Sequence, residues 1–223
     1  MIKKTQPRLS VNKLGEYLSA SASRRRKIIF DAKYPSNFIV QRYKDAETAI
    51  AEYYADENLN ISILLKHIKK IQDKKTDNAH QIEVTNNNLL ALDSFIDCVD
   101  CINICEKQNE YYNTARESAT TEIKKLTVSV RPEILIKKQK QVIGGLKLYF
   151  SKTHSLDTEK GENISTILKL YLEETYKTKI NPKNCFILDV FTKQLYFEPA
   201  SYKRRYKEIE LSCEEIISRW NDI

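Results

Sequence analysis

Three of the five cysteines lie close together, at the spacing C-x2-C-x3-C: Cys98, Cys101 and Cys105. Thiolates at such spacing can bind zinc or an iron–sulfur cluster, and Cys185 or Cys213 could supply a fourth ligand. The same positions also share one face of a helix, and cysteine is among the residues most often buried. Four-thiolate sites usually lie on glycine-containing turns, and this stretch contains neither Gly nor Pro. We therefore favour a structural role for the three cysteines.

Basic residues are clustered along the chain, and clustered cations bind phosphate through charge pairing and counterion release. The formal net charge is +7 and the isoelectric point is near 9.0. The clusters are Arg24, Arg25, Arg26 and Lys27; Lys66, Lys69, Lys70, Lys74 and Lys75; Lys137, Lys138 and Lys140; and Lys203, Arg204, Arg205 and Lys207. The candidates for nucleic-acid contact are Arg24, Arg25, Arg26, Lys137, Lys138, Lys203, Arg204 and Lys207. The alternative is four separate solvated faces.

Length and composition place the chain among ordinary globular proteins. Its 223 residues, 41% hydrophobic and 30% charged, suit one large domain or two small ones. The first ten residues contain no apolar segment of the kind found in signal peptides. No run approaches the roughly 18–20 apolar residues that span a bilayer. We expect a cytoplasmic protein without membrane contact, whose cysteines stay reduced. No phosphate-binding glycine loop, Ser-His-Asp arrangement or dinucleotide fingerprint occurs, which argues against those enzyme classes.

The first half of the chain has helical apolar spacing from Ser10 to about residue 105. Helices are predicted to begin at Ser10, at Ser21 or Ser23, at residue 37 and at Asn60. The Tyr34-Pro35 step should end the second helix, because a residue before proline is disfavoured in the α region. One alternative is a helix-turn-helix unit whose triple arginine contacts the DNA backbone. We favour a helical lobe over residues 1–115 that docks on the rest and adds basic surface.

The second half changes to strand patterns, so the predicted fold class is α+β. Strands are predicted over 126–136 and 142–150, a helix over 162–177, a strand pair within 185–197 and a basic helix over 202–220. A strand pair, a crossover helix, a second strand pair and a helix make a compact α/β core over residues 116–223. Gly144-Gly145 inside a strand indicates a bulge or a close approach by a ligand.

This order of elements resembles the RecB-type branch of the PD-(D/E)XK nuclease superfamily, over roughly residues 122–220. In that family the first strand pair carries an acidic residue and an E-x-K tripeptide, and a helix with a central tyrosine follows. The resemblance implies a restriction-endonuclease-like core. It places Glu133 at the metal-binding carboxylate, Lys147 at the lysine of E-x-K and Tyr171 at the helical tyrosine. An active member would use Mg2+ or Mn2+.

The chain departs from the family pattern at Gly145, where a glutamate is expected. Metal-dependent cleavage of phosphodiesters needs carboxylates to hold the ion, and a lysine stabilises the developing charge. Glu159 or Glu162, from the following helix, could supply the missing acid. The alternative for Glu133 and Lys147 is a cross-strand ion pair, which contributes under about 1 kcal/mol when exposed.

Three functional hypotheses follow. The first is a DNA-binding, non-catalytic subunit of a larger prokaryotic complex, built on a degenerate nuclease-like core and needing no cofactor. Its setting in phage defence or a mobile element is implied by the resemblance alone. The second is an active Mg2+- or Mn2+-dependent DNA nuclease that uses Glu133, Lys147 and Glu162. The third is a protein–protein adaptor without nucleic-acid affinity. The sequence does not indicate whether the chain self-associates.

Overall fold

A computed structural model describes residues 3–35, 42–100, 102, 104, 106, 108–114, 118–199 and 202–223. Within these residues the helices are α1 (Val11–Leu18), α2 (Ala22–Lys33), α3 (Lys44–Ala55), α4 (Ser62–Gln72), α5 (Ala79–Ile96), α6 (Thr158–Tyr176) and α7 (Tyr202–Trp220). The strands are β1 (Arg8–Ser10), β2 (Glu110–Asn113), β3 (Thr120–Ile123), β4 (Leu126–Ser129), β5 (Ile134–Lys138), β6 (Gln141–Tyr149), β7 (Cys185–Asp189) and β8 (Gln194–Tyr196). The α+β class is thereby confirmed. None of these helices combines the length and apolar composition needed to cross a membrane.

The strands form two mixed sheets. A five-stranded sheet has the order β2-β5-β6-β7-β8, in which only β6 and β7 run parallel. Helix α6 makes the crossover between those two strands, as a parallel pair requires. A smaller sheet has the order β1-β4-β3, with β1 parallel to β4. The expected order of hairpin, crossover helix, hairpin and closing helix is therefore present from β5 to α7.

The predicted single strand over 126–136 is wrong, because β4 and β5 belong to different sheets. Pro132 lies between them and has no N–H for a ladder hydrogen bond, so the chain leaves one sheet and enters the other there. Lys137 and Lys138 are also displaced from the expected connection. They pair with Val142 and Gln141 at the end of β5, and the turn falls on the next two residues.

Helices cover both faces of the five-stranded sheet. Helices α1, α2, α6 and α7 share one hydrophobic cluster, which takes Leu135 from β5. Helices α3, α4 and α5 share the other, which takes Ile134 and Ile136 from the same strand. The alternation follows from the two-residue period of a strand. Both clusters contain residues from either side of position 115, so the expected domain boundary does not separate two cores. Moreover, β1 and β2 lie within the segment that we expected to be helical.

Local signals fixed several helix ends. The hydroxyls of Ser10 and Ser21 accept hydrogen bonds from the backbone N–H groups of Lys13 and Arg24. The predicted cap at Ser10 is therefore confirmed, and of the two alternatives for the second helix the structure has Ser21. Helix α2 ends at Lys33, before the proline, as predicted. Part of the helix predicted over 37–56 corresponds to α3, while its first residues lie outside the described part of the chain. Trp220 is buried at the end of α7.

The predicted irregularity at Gly144-Gly145 is also confirmed. The β5–β6 register shifts between Ile136 and Lys137, opposite Gly144, which marks a bulge. The close approach comes from the protein itself. A Cβ on Gly144 would lie 2.1 Å from the main-chain oxygen of Asn184, just before β7. No side chain fits between β6 and this segment.

We expect Gly144→Ala to lower the free energy of unfolding by at least about 2 kcal/mol, because backbone must move to admit the methyl group. Gly145→Ala is the matched comparison, since its nearest contact would be the Ile134 oxygen at 3.0 Å. Urea unfolding should give a smaller loss for Gly145→Ala. Equal losses would contradict the close approach at Gly144.

Candidate functional site

Glu133 and Lys147 form a buried ion pair. Glu133 immediately precedes β5, and its N–H donates to the Leu146 oxygen of β6 at 2.8 Å, which places its side chain beside Lys147. The Oε1 atom accepts from Lys147 Nζ at 2.6 Å, and Oε2 accepts from the Leu148 N–H at 2.6 Å. The side chains are only 1% and 12% exposed. The cross-strand pair expected from the sequence is therefore present, although it is buried rather than exposed.

Arg131 and Glu47 extend this pair into a four-residue network. The Arg131 guanidinium lies 3.5 Å from Glu133 Oε1 and also pairs with the carboxylate of Glu47. Glu47 lies in the first turn of α3, 84 positions before Arg131 in the sequence. Sequence patterns gave no signal for Glu47, because acids in a first helical turn are common and ordinarily serve the helix dipole.

The electrostatics of the network are dominated by its burial. Desolvation by burial, together with the nearby charge of Glu133, raises the pKa of Glu47 to about 7, although Arg131 and Lys147 act in the opposite direction. Two carboxylates that share one arginine cannot both ionise at little cost when they are shielded from water. Near neutral pH, the carboxyl group of Glu47 is therefore partly protonated.

Glu162, the predicted third acid, belongs to a separate ion pair. It lies near the start of α6, where its carboxylate pairs with Arg205 of α7. Arg205 also donates to Asn163 at 3.3 Å, so the guanidinium ties α6 to α7. Glu159, the other candidate, is exposed in the first turn of α6. The structure thus brings Glu133 and Lys147 together and leaves Glu162 elsewhere.

In the described part of the chain, two carboxylates lie near Lys147 and could contact a metal there: those of Glu47 and Glu133. No group of three His, Cys, Asp or Glu side chains that could hold a metal ion occurs among the described residues. Position 145 leaves little space for a side chain, since a Cβ there would lie 3.0 Å from the Ile134 oxygen and 3.4 Å from Leu172 Cδ1.

The cysteines that the structure describes are buried thiols. Cys98 is 3% exposed, and its thiol donates to main-chain oxygens of α5. Cys185 and Cys213 lie in the hydrophobic cluster on the opposite face of the sheet, so neither can complete a site with Cys98. Burial raises the pKa of Cys213 to about 12 and that of Cys185 still higher, which keeps both as neutral thiols. Cys101 and Cys105 lie outside the described residues.

Most of the triple arginine is used inside the fold. Arg24 pairs with Glu16 of α1. Arg25 donates to the main-chain oxygens of Tyr17 and Leu18 and lies 3.2 Å from Glu215 of α7. Arg26 is exposed and has no ion-pair partner among the described residues. Two of these three nucleic-acid candidates therefore connect helices.

The remaining basic candidates differ in exposure. Lys137 and Lys138 are half-buried, and Lys137 Nζ lies 3.9 Å from the centre of the Tyr112 ring. Lys203 and Lys207 are exposed at the start of α7. Arg204 is 84% exposed, although it lies 3.0 Å from Glu208 one turn later. Among the residues singled out for nucleic-acid contact, those at the beginning of α7 are thus the most accessible group. The lysines of the separate cluster on and after α4 are exposed as well: Lys66, Lys69, Lys70, Lys74 and Lys75.

No model of a known protein family matches this chain, and no curated protein matches it at a significant level of sequence similarity. Function therefore has to be inferred from the geometry of the ion-pair network and from the distribution of exposed cations.

We expect Glu133→Gln to lower the free energy of unfolding by about 3 kcal/mol, because it leaves Lys147 buried without a counter-charge. Urea unfolding at neutral pH measures the loss. The matched control is Asp31→Asn, which breaks an exposed pair with Lys27 at 3.2 Å and should cost less than about 0.5 kcal/mol. A loss from Glu133→Gln as small as the control's would show that the pair contributes little.

We expect Glu47→Gln to reduce the pH dependence of stability. The carboxyl of Glu47 titrates near 4.5 in the unfolded chain and about 7 in the fold. Between these values the folded protein holds a proton that the unfolded chain releases, so the stabilisation present at low pH is lost as the pH rises. Wild type should therefore lose more free energy of unfolding than the variant between about pH 5 and about pH 8. Burial raises the pKa of Glu198 as well, so part of the slope should remain. Identical slopes would contradict the raised pKa of Glu47.

Proposed function

We propose that this protein binds DNA without cleaving it. The observation that carries this proposal is that neither oxygen of Glu133 is free. One accepts a hydrogen bond from Lys147 and the other accepts one from the Leu148 N–H. A divalent cation prefers several free oxygen ligands. To bind here, it would have to displace both donors from a side chain that is 1% exposed. The positive charge of Lys147 is likewise balanced by Glu133.

The binding surface is proposed from exposed cations. Lys203, Arg204 and Lys207 lie exposed along the first turns of α7. Arg26 adds a further exposed cation on α2. Side chains of this kind contact phosphates and position a protein without reading sequence. We expect affinity that falls steeply with salt and little preference among duplex sequences.

Metal-dependent cleavage is the second candidate function, and the position of the Glu47 carboxylate near Glu133 favours it. Glu47 and Glu133 both lie within reach of Arg131, so a second carboxylate is present that the sequence did not indicate. In this alternative, the two carboxylates would hold Mg2+ or Mn2+, and Lys147 would stabilise negative charge on the phosphate. It ranks second because both acids are paired with cations. The adaptor hypothesis and membership of a larger complex stay predictions from the sequence.

The triple variant Lys203→Gln, Arg204→Gln and Lys207→Gln should weaken binding to labelled duplex DNA. If each side chain contacts a phosphate, the slope of log K against log salt should decrease by about 2–3. Fluorescence anisotropy between about 50 and about 200 mM salt measures this slope. The matched control replaces three exposed lysines elsewhere, Lys177, Lys179 and Lys183, and should leave the slope close to that of wild type.

The same samples, incubated with Mn2+ and analysed on denaturing gels, separate the two candidate functions. Uncut strands with salt-sensitive binding support the non-cleaving protein. Cut strands that disappear with Glu47→Gln would replace it by the nuclease. Absence of affinity at low salt would exclude both.

A further inference from the structure

A polar cleft lies where the two sheets meet, beside Lys147. Its volume is about 340 Å³. Strands β1 and β4 run parallel and both end at it, and Ser10 pairs with Ser129 there. The segment that carries Arg131 from β4 to β5 forms another wall. The cleft thus depends on the change of sheet at Pro132.

The lining of the cleft is cationic and rich in hydroxyl groups. Arg8, Arg131 and Lys147 supply three positive charges. Ser10, Ser118 and Ser129 supply hydroxyls, which can donate to an anion. No acidic side chain lines the cleft among the described residues. Glu133 lies behind Lys147 and is almost wholly buried. This donor set suits an anion with several oxygens.

One buried donor in the cleft lacks an acceptor among the described residues. It is the Nε–H of Arg131, whose guanidinium pairs at its other end with Glu47. A buried donor without an acceptor is costly, and an anionic oxygen would satisfy it. On the opposite wall, Arg8 Nε donates to Ser129 Oγ at 2.9 Å and to no other residue in the described part of the chain.

We propose that this cleft binds one phosphate group of the nucleic-acid backbone, between Arg8 and Arg131. The inference rests on the proposed DNA binding and deepens it by naming a site that the sequence did not indicate. Arg131 and Arg8 bind the phosphate oxygens and the serine hydroxyls complete the contacts, while the charge of the neighbouring Lys147 is balanced by Glu133. Both oxygens of Glu133 already accept hydrogen bonds, so the neighbouring phosphate is held in position without being cleaved.

The test compares Arg8→Gln with Lys13→Gln. Arg8 is exposed and bonded only to a serine, so its replacement should leave the fold intact, which circular dichroism verifies. Lys13, also exposed, lies near the same end of α1 but outside the lining, and its replacement removes the same charge. At low salt, Arg8→Gln should weaken binding to labelled duplex DNA about tenfold. Lys13→Gln should weaken it less than about threefold. Titration of wild type with inorganic phosphate should shift the amide NMR signals of Ser129 and Arg131.

The outcomes separate the cleft from the wider proposal. If both variants bind DNA as tightly as wild type while the α7 triple variant does not, the cleft is not a phosphate site and DNA binding stands. Wild type could instead have no affinity for DNA, while inorganic phosphate shifts its Ser129 and Arg131 amide NMR signals but not those of the Arg8→Gln protein. In that case the proposed DNA binding is wrong. The cleft then binds free phosphate groups. If neither probe binds, both proposals are overturned.

Discussion

The carboxylate of Glu133 is the constraint around which the centre of this protein is arranged. An ionised carboxylate this deeply buried costs several kcal/mol unless cations and hydrogen-bond donors surround it. Lys147 and the Leu148 N–H satisfy it from β6, and Arg131 approaches from the segment that joins the two sheets. Glu47 then pairs with Arg131, which fixes the start of α3 against the same point. Helix α3, the segment before β5 and strand β6 therefore share one electrostatic requirement.

The change of sheet at Pro132 has consequences beyond topology. It places the carboxyl ends of β1 and β4 beside the network, so hydroxyls and Arg8 face the same space as Arg131 and Lys147. Carboxyl ends of parallel strands are where open sheets commonly bind ligands. It also encloses Glu133 behind Lys147, so that the carboxylate does not line the cleft. Cation and carboxylate are adjacent, yet only the cation lines the cleft.

Basic residues serve two different purposes in this fold. Arg24, Arg25 and Arg205 each connect helices by pairing with acids on a neighbouring helix. The exposed cations at the start of α7 stay available to a partner. An arginine is suited to the first purpose because its planar fork of donors can meet a carboxylate and main-chain oxygens together. The count of 37 lysines and arginines therefore overstates how many cations can meet phosphate.

Sequence by itself determined the α+β class, the caps at Ser10 and Ser21, the end of α2 and the sequence of elements from β5 to α7. These depend on apolar periodicity and on residues within one turn of each other. It also indicated the pairing of Glu133 with Lys147, since adjacent strands of a hairpin bring them together. Only the tertiary structure decided that this pair is buried, that Glu47 and Arg131 join it, and that Glu162 belongs to Arg205. Burial and long-range pairing depend on how the helices cover the sheets, and no local pattern encodes which distant carboxylate meets which arginine.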